Sequence, residues 1–406
     1  MKLHGNRNRS IRCGSMANGV FAALLVLAGG LGSGCSNPNA PVISPGEVVL
    51  VTSPERDQLW MIVPASGAIT ARLALGGKAQ GAAASSDGST LYVGISGAGF
   101  RNELVAIDTR VNRVAWRLRL GSNGQPNFLD GVGLNSGEAL ALSHDGQSLY
   151  LWRAVKDGVT GITLVDVSTR RPTAFSGPWN VAGSGLVPIP PSAPRWSGAL
   201  AVVGSRANAA GGPRRGSSVF VLDPVSLQVV DSILAGDLGG AQGEDIWEVV
   251  PSPDGQTLYI AGSQRLVRYS LADQRVIASV ARPAPGLLSV TSDGETLIVT
   301  DGGTWPDFPG SGLLYAYGPN FEPHGSIDVS TPLGGRPSGP TATVTGPTAM
   351  SLDGRTIYVR AGTLSIGPLY TPQPARLLIV DIIGRTLQRT VDLGGFGGGF
   401  VFVRHY

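Results

Sequence analysis

The sequence predicts an all-β fold, a seven-bladed β-propeller with four antiparallel strands per blade, and three observations lead to it. Five segments nearly repeat: Ser85–Val93, Ser143–Leu151, Ser252–Ile260, Thr291–Val299 and Ser351–Val359. Each carries an Asp-Gly pair (Asp87-Gly88, Asp145-Gly146, Asp254-Gly255, Asp293-Gly294, Asp353-Gly354) followed by an alternating β-prone run. Glycine supplies the positive φ that a tight hairpin turn needs, and aspartate can bond its own backbone there. The remaining composition agrees: 59 Gly, 29 Pro and 15 % charged residues, with Val, Leu and Ile in short runs and no long helical period after the N-terminus. Recurrence of one such unit is the mark of a repeat architecture.

Four strands can be laid out around each turn. Around Asp87-Gly88 these are strand a, Ala82-Ala83-Ala84; b, Leu91 to Ile95; c, Glu103 to Asp108; and d, Val114 to Leu118. Strand c recurs as Ile162–Asp166, Val219–Asp223 and Leu377–Asp381. A four-stranded antiparallel unit of roughly 40–60 residues is a propeller blade. The Asp intervals are 58 (87 to 145), 109 (145 to 254), 39 (254 to 293) and 60 (293 to 353). The long interval is expected to hold a degenerate blade, with Ala199–Val203 and Val219–Asp223 as its b and c strands and Arg195-Trp196-Ser197-Gly198 at the turn position. At the ends, Val48–Val51, Leu59–Val63 and Ile69–Leu73 form three strands without an innermost one, while Phe400–Val403 is a strand without a blade. Joining them gives a seventh blade, closed by both termini.

The unit Asp-Gly-x-x-Leu-Tyr-Val, followed by an apolar strand ending Ile-Asp and then a Val-rich strand, resembles the YVTN-type β-propeller repeat. The resemblance spans most of residues 47–406 and is weak around 183–205. It implies a fold rather than an activity, since such propellers serve as secreted binding proteins, surface-layer proteins and enzyme scaffolds.

The N-terminus reads differently. Residues 1–34 carry Lys2, Arg7, Arg9 and Arg12 and no acid, followed by the apolar stretch Val20–Ala28. That stretch is too short for a bilayer and suits a secretory signal peptide. Gly32-Ser33-Gly34-Cys35 then resembles the lipobox of bacterial lipoproteins, with Leu31 one place early and Gly32 where leucine is usual. Residues 1–34 are therefore expected to be removed, Cys35 to be lipidated, residues 36–46 to serve as an extended tether and residues 47–406 to form the propeller. Loss of Cys13 with the signal leaves Cys35 as the one mature cysteine, so no intrachain disulfide can form. Ordinary cleavage with soluble export is the competing reading. The expected location is the cell envelope, periplasmic or on the outer surface. Without the four basic residues of the leader, 27 basic residues face 28 acidic ones, a balance that gives no electrostatic case for nucleic acid.

Function should lie in what does not repeat. The a–b and c–d connections read as short, whereas 121–137, 183–196, 236–245 and 331–347 (d to the next a) and 153–160, 205–216, 301–311 and 362–375 (b to c) are longer. In a meander these two classes emerge on one face, which makes that face and its central funnel the expected binding site. Candidate ligand-binding residues there are Asp130, Arg195, Trp196, Glu244, Asp245, Trp247, Trp305 and Asp307. Packing of the tryptophans between blades and simple solvation of the charges is the competing account. Tyr92, Tyr150, Tyr259 and Tyr358 recur at one b-strand position and are expected in the core.

Catalytic signatures are sparse. No Cys/His set has zinc or haem spacing, and no Gly-x-Ser-x-Gly run leads from a strand into a helix. No cofactor is predicted and no metal ligand set can be named. A calcium ion held by Asp130, Glu244 or Asp245 would leave no readable spacing. The expectation is a monomeric, membrane-anchored, non-catalytic propeller binding a small molecule or protein. The alternative is a propeller enzyme or enzyme subunit, lactonase-like or quinoprotein-dehydrogenase-like.

Overall fold

The computed structural model describes residues 46–53, 57–97, 101–120, 140–154, 160–180, 185–206, 217–239, 246–282, 285–301, 312–330, 341–351, 353–365, 375–394 and 401–404, all within the compact unit Pro41–Tyr406. Seven blades of four antiparallel strands make a β-propeller. Strands β1 (Val48–Ser53), β2 (Gln58–Val63) and β3 (Ala68–Ala74) are followed by blade 1, built from β4 (Lys78–Ala84), β5 (Thr90–Gly97), β6 (Arg101–Asp108) and β7 (Arg113–Arg119). Blade 2 is β8 (Leu140–Leu142), β9 (Ser148–Ala154), β10 (Thr160–Asp166) and β11 (Arg171–Asn180). Blade 3 is β12 (Leu186–Pro188), β13 (Leu200–Arg206), β14 (Ser218–Leu222) and β15 (Val229–Leu234). Blade 4 is β16 (Ile246–Pro251), β17 (Thr257–Gly262), β18 (Arg265–Ser270) and β19 (Arg275–Ala281). Blade 5 is β20 (Pro285–Val290), β21 (Leu297–Asp301), β22 (Leu313–Tyr317) and β23 (Pro323–Asp328). Blade 6 is β24 (Thr341–Met350), β25 (Thr356–Ser365), β26 (Arg376–Asp381) and β27 (Thr386–Asp392).

The last strand, β28 (Val401–Arg404), returns to pair with β1 in the sheet order β28-β1-β2-β3. The register runs Val48↔Arg404 to Val51↔Val401, so the three-plus-one closure expected from the termini is present. The degenerate blade is also present in the long interval. Blades 2 and 3 are further joined, because β11 runs on to pair with β13 through Trp179↔Arg206 and Asn180↔Ser205. Strands β24 and β25 are longer than expected and take up parts of the predicted insertions 331–347 and 362–375.

The Asp-Gly turns explain their own recurrence. In the first, Gly88 adopts φ 66° and its N–H donates to Ser85 O at 2.8 Å. The Asp87 carboxylate accepts from the Ser85 hydroxyl at 2.6 Å and from the Ser89 N–H at 3.0 Å, while Ser85 Oγ accepts from the Thr90 N–H at 2.9 Å. Ser143, Ser252, Thr291 and Ser351 repeat that hydroxyl relay with Asp145, Asp254, Asp293 and Asp353. The hydroxyl two residues before each aspartate is thus as much a part of the turn as the Asp-Gly pair.

The core is divided among the blade interfaces. Strand residues alternate between the two faces of a sheet, and each face packs on a neighbouring blade. Seven apolar clusters result, one per interface. Leu50, Leu59 and Met61 meet Leu91, Val93 and Val105 between the closing blade and blade 1, and Val49, Val51 and Trp60 meet Tyr358, Leu377 and Ile379 on its other side. The b-strand tyrosines are buried as expected: Tyr92, Tyr150, Tyr259 and Tyr358 are at most 6 % exposed and all face the next blade. Tyr150 donates to Pro224 O of blade 3 at 3.2 Å, and burial pushes its hydroxyl up to about 12. Tyr358 donates instead to the buried carboxylate of Glu47, just ahead of β1. Burial foremost, and then this bond, raises the Tyr358 hydroxyl so that it stays protonated.

Two predictions follow from this packing and turn chemistry. Tyr358→Phe takes one donor from a buried carboxylate at the closing seam and should cost about 1–3 kcal/mol in urea denaturation, with the fold retained. The second concerns acid. Ser85 and Ser89 hold Asp87 down to about 2, and hydrogen bonds to the Ser143 and Thr291 hydroxyls lower Asp145 and Asp293 likewise. Carboxylates depressed in the folded state contribute fully above their unfolded value near 3.8 and lose that contribution as pH falls through the folded one. The urea midpoint should therefore drop between about pH 4 and pH 2, and Ser85→Ala should lower the midpoint at neutral pH and make that acid drop smaller.

Candidate functional site

Strand direction sorts every connection to one of two faces. The a–b and c–d connections share a turn face, and the b–c and d–a connections share a loop face. The long segments 121–139, 155–159, 207–216, 240–245, 302–311, 331–340 and 366–374 all join strand ends at the loop face and lie outside the described residues. Five of the candidate residues, Asp130, Glu244, Asp245, Trp305 and Asp307, lie in these segments, and Cys35, in the N-terminal segment, also lies outside the described residues.

The innermost strands change character as they approach that face. In four of the seven blades the a–b pairing is interrupted: near the loop-face end of β4, β16 and β20, between Ala79 and Gly81, Ile246 and Glu248, and Pro285 and Leu288, and past the middle of the longer β24, between Thr345 and Thr348. In β4 and β16 the extra residue is Gln80 and Trp247, respectively. A bulge bends its strand and re-aims a side chain, and bulges gather beside functional sites. Sequence alternation carries no trace of them, because one inserted residue in a short strand looks like an ordinary change of pattern.

The bulge at Trp247 is held on both sides. Ser217, fully buried at the start of β14, donates its hydroxyl to Ile246 O at 3.0 Å and accepts from the Ile246 N–H. One residue beyond Trp247, Glu248 is 6 % exposed and its Oε2 accepts from the Leu288 N–H at 2.6 Å, tying β16 to β20 of the next blade. Thr300 Oγ1 takes the neighbouring Leu287 N–H at 2.7 Å. Half-buried Trp247 is thus the one candidate residue that the described structure places at the loop-face end of an inner strand. Glu248 was not anticipated. A carboxylate inside the apolar run Trp-Glu-Val-Val was its only signal.

Beside it, between blades 3 and 4, a small open cleft is lined by Ala235, Leu238, Ile246, Ile260, Val267 and Arg265. Ala235 and Leu238 belong to a single-turn 3-10 helix (Ala235–Leu238) that follows β15. The cleft is a shallow dimple with room for about one water-sized group, far below drug-sized pockets of roughly 300–1,000 Å³.

Arg195 and Trp196 are corrected. Because β12 occupies Leu186–Pro188, the connection containing them is an a–b connection and lies on the turn face, not among the long loops. It is also the exception to the rule that a–b turns are tight. Its neighbours confirm the side: His144, in the Asp-Gly turn of blade 2, sits 3.1 Å from Pro188 O, and Ser192 donates to Asp254 O in the turn of blade 4. Arg195 pairs with Asp231 of β15, Trp196 Nε1 donates to the same carboxylate at 3.1 Å, and the Arg195 guanidinium lies 5.2 Å from the Trp196 ring. Trp196 also packs against the core between blades 3 and 4. Burial pushes Asp231 up, but the bonds from Arg195, Ser232 and Trp196 outweigh it and leave the carboxyl below its usual value. Arg195 is thus engaged within blade 3, and Trp196 both there and in the packing against blade 4.

The other depressed carboxylates have the same kind of cause. Asp87, Asp145 and Asp293 are held by their own turns on the turn face, so their shifts are structural. Among the described residues no group of three His, Cys, Asp or Glu could hold a metal ion.

No family model matches the chain, and no curated protein matches it. Among solved structures, a functionally unknown protein from Desulfotomaculum acetoxidans is similar, with 15 % identity and TM-score 0.61 over 88 % of this chain and 99 % of that one. Kuenenia stuttgartiensis hydrazine synthase has 16 % identity and TM-score 0.47 over 77 % of this chain and 95 % of that one. The β-propeller domain of Myceliophteria thermophila Cps50 (Swd1) has 15 % identity and TM-score 0.47 over 78 % and 86 %. The first likeness shows the fold alone, and the two weaker ones carry no argument.

The contrast between Glu248 and Asp231 can be measured. Glu248→Ala orphans a buried backbone N–H and should cost about 1–3 kcal/mol in urea denaturation. Asp231→Ala breaks a half-exposed pair, and its cost through that pair should stay within about 1 kcal/mol.

Proposed function

We propose that this chain is an exported, lipid-anchored β-propeller that binds a small molecule or a protein partner at the loop-face end of its central channel and performs no chemistry there. One observation carries the binding site: the innermost strands of three blades are bulged at that end, where the strand ends joined by the long connections also lie. The opposite end is closed by turns that satisfy their own polar groups, and such a surface offers a ligand little. Trp247, set on a bulge and braced by Ser217 and Glu248, is the described residue best placed to touch the ligand. Asp130, Glu244, Asp245, Trp305 and Asp307 are proposed to contribute from the long connections. Arg195 and Trp196 are left out, since both are committed to packing on the turn face.

The anchor reading rests on the basic and apolar leader, the small residues before Cys35 and the absence of any other mature cysteine. The likeness of the blades to the YVTN-type repeat fits an envelope location. No family member's ligand is implied by it.

Two measurements test the proposal. Cys35→Ala should move the protein from the membrane fraction to the soluble fraction, and continued membrane retention would refute lipidation. Capture of a partner from detergent-solubilised envelopes should be lost in Trp247→Ala and retained in Gln147→Ala, on the turn face. Equal capture by both variants would refute a binding role at the loop face, and metal-dependent lactone hydrolysis by the purified protein would refute the non-catalytic reading.

A further inference from the structure

The described part of the chain begins at Gly46 and enters the propeller through β1, and the face on which it enters has a consequence for orientation. Strand β1 is the b strand of the closing blade, so its first residue lies on the turn face. The anchoring is firm: Val48 pairs with Arg404, and the Glu47 side chain, 3 % exposed, takes the Tyr358 hydroxyl of blade 6. From Cys35 to Glu47 there are twelve residues, which reach at most about 43 Å when fully extended. A route from Glu47 to the loop-face side would have to pass β2 and β3, roughly 10 Å at ~4.8 Å per strand, and climb a strand of six to eight residues, roughly 20–26 Å. That path consumes most of the tether before any loop is cleared.

A second observation comes from the turn face itself. Three of its c–d turns carry an aliphatic side chain at the tip: Val111 is 57 % exposed, Val225 74 % and Ile383 65 %. Arg110, with its side chain 70 % exposed, stands beside Val111, and Arg385 lies in the same turn as Ile383. Exposed aliphatic tips, two of them beside an arginine (Arg110, itself paired with Asp108 at 3.3 Å, and Arg385), suit the boundary between lipid headgroups and acyl chains. The charged Asp-Gly turns between them limit the contact to the headgroup layer.

We infer that the turn face is the membrane-proximal face, resting on the lipid headgroups of the membrane that holds Cys35, and that the loop face is presented away from the membrane. This rests on the anchored reading above and adds to it the direction from which a partner must approach.

Fluorescence transfer from single introduced cysteines to an acceptor on lipid headgroups tests it. Gln147→Cys places a thiol on the turn face, and Ser263→Cys places one in the short β17–β18 turn on the loop face. In the lipidated protein the Cys35 sulfur is blocked, so each introduced thiol is the one labelled. In vesicles of phosphatidylethanolamine and phosphatidylglycerol carrying a headgroup acceptor, transfer from position 147 should be at least twofold more efficient than from position 263. Equal transfer, or the reverse order, would overturn the orientation while leaving the anchor intact. Failure of both labelled proteins to associate with the vesicles, as expected for Cys35→Ala, would overturn the anchored reading and the orientation with it.

Discussion

Each blade is a thin sheet with two apolar faces, and neither face has anything to pack against within its own blade. Both must be covered by neighbours, which forces the sheets into a ring and forces the ring to close. The seven interface clusters show this directly, since none of them belongs to a single blade. Closure is therefore a condition of the fold. It is met by a noncovalent seam in which β28, from the far end of the chain, supplies the inner strand of the blade begun by β1. Glu47 and Tyr358 reinforce that seam at its turn-face end with a hydrogen bond between blade 6 and the closing blade.

The same constraint separates the two ends of the ring. At the turn face the hydroxyl, carboxylate and glycine of each Asp-Gly unit satisfy one another, so the sequence there is narrowly specified. At the loop face nothing in the packing dictates how the strands are joined, and both connection length and strand regularity vary from blade to blade. The bulges in β4, β16 and β20 lie at that end. Rigid packing below and free variation above is the arrangement in which a binding surface can diversify without disturbing its scaffold.

Much of this fold was legible from the chain because it rests on local chemistry that repeats. The Asp-Gly turns mark five blades, the residual strands at Ala199–Val203 and Val219–Asp223 reveal a sixth, and the unmatched terminal strands supply the seventh. The site was less legible, and for specific reasons. Arg195 and Trp196 were misplaced because β12 is only three residues long and contains a proline, so no strand signal separates the d–a connection from the a–b connection that holds them. Glu248 reads as an ordinary charge until the Leu288 N–H is found against it. Bulges depend on which residue faces which across a ladder, and that pairing is not written in either strand alone. The hydroxyl before each Asp-Gly pair was visible as a repeated Ser or Thr, but its relay role emerged only from the bond geometry.

The central position of β1 in its sheet edge has a mechanical meaning. Tension arriving from the N-terminal segment enters at Glu47 and runs along the strand axis. Strand β1 is flanked on one side by β28 and on the other by β2, with ladder hydrogen bonds perpendicular to that pull. The load is thus borne in shear by both ladders at once. Had the chain entered through an outer strand such as β3, the same force could have peeled one ladder bond by bond. A propeller held by its N-terminal segment is gripped where its sheet is hardest to unzip.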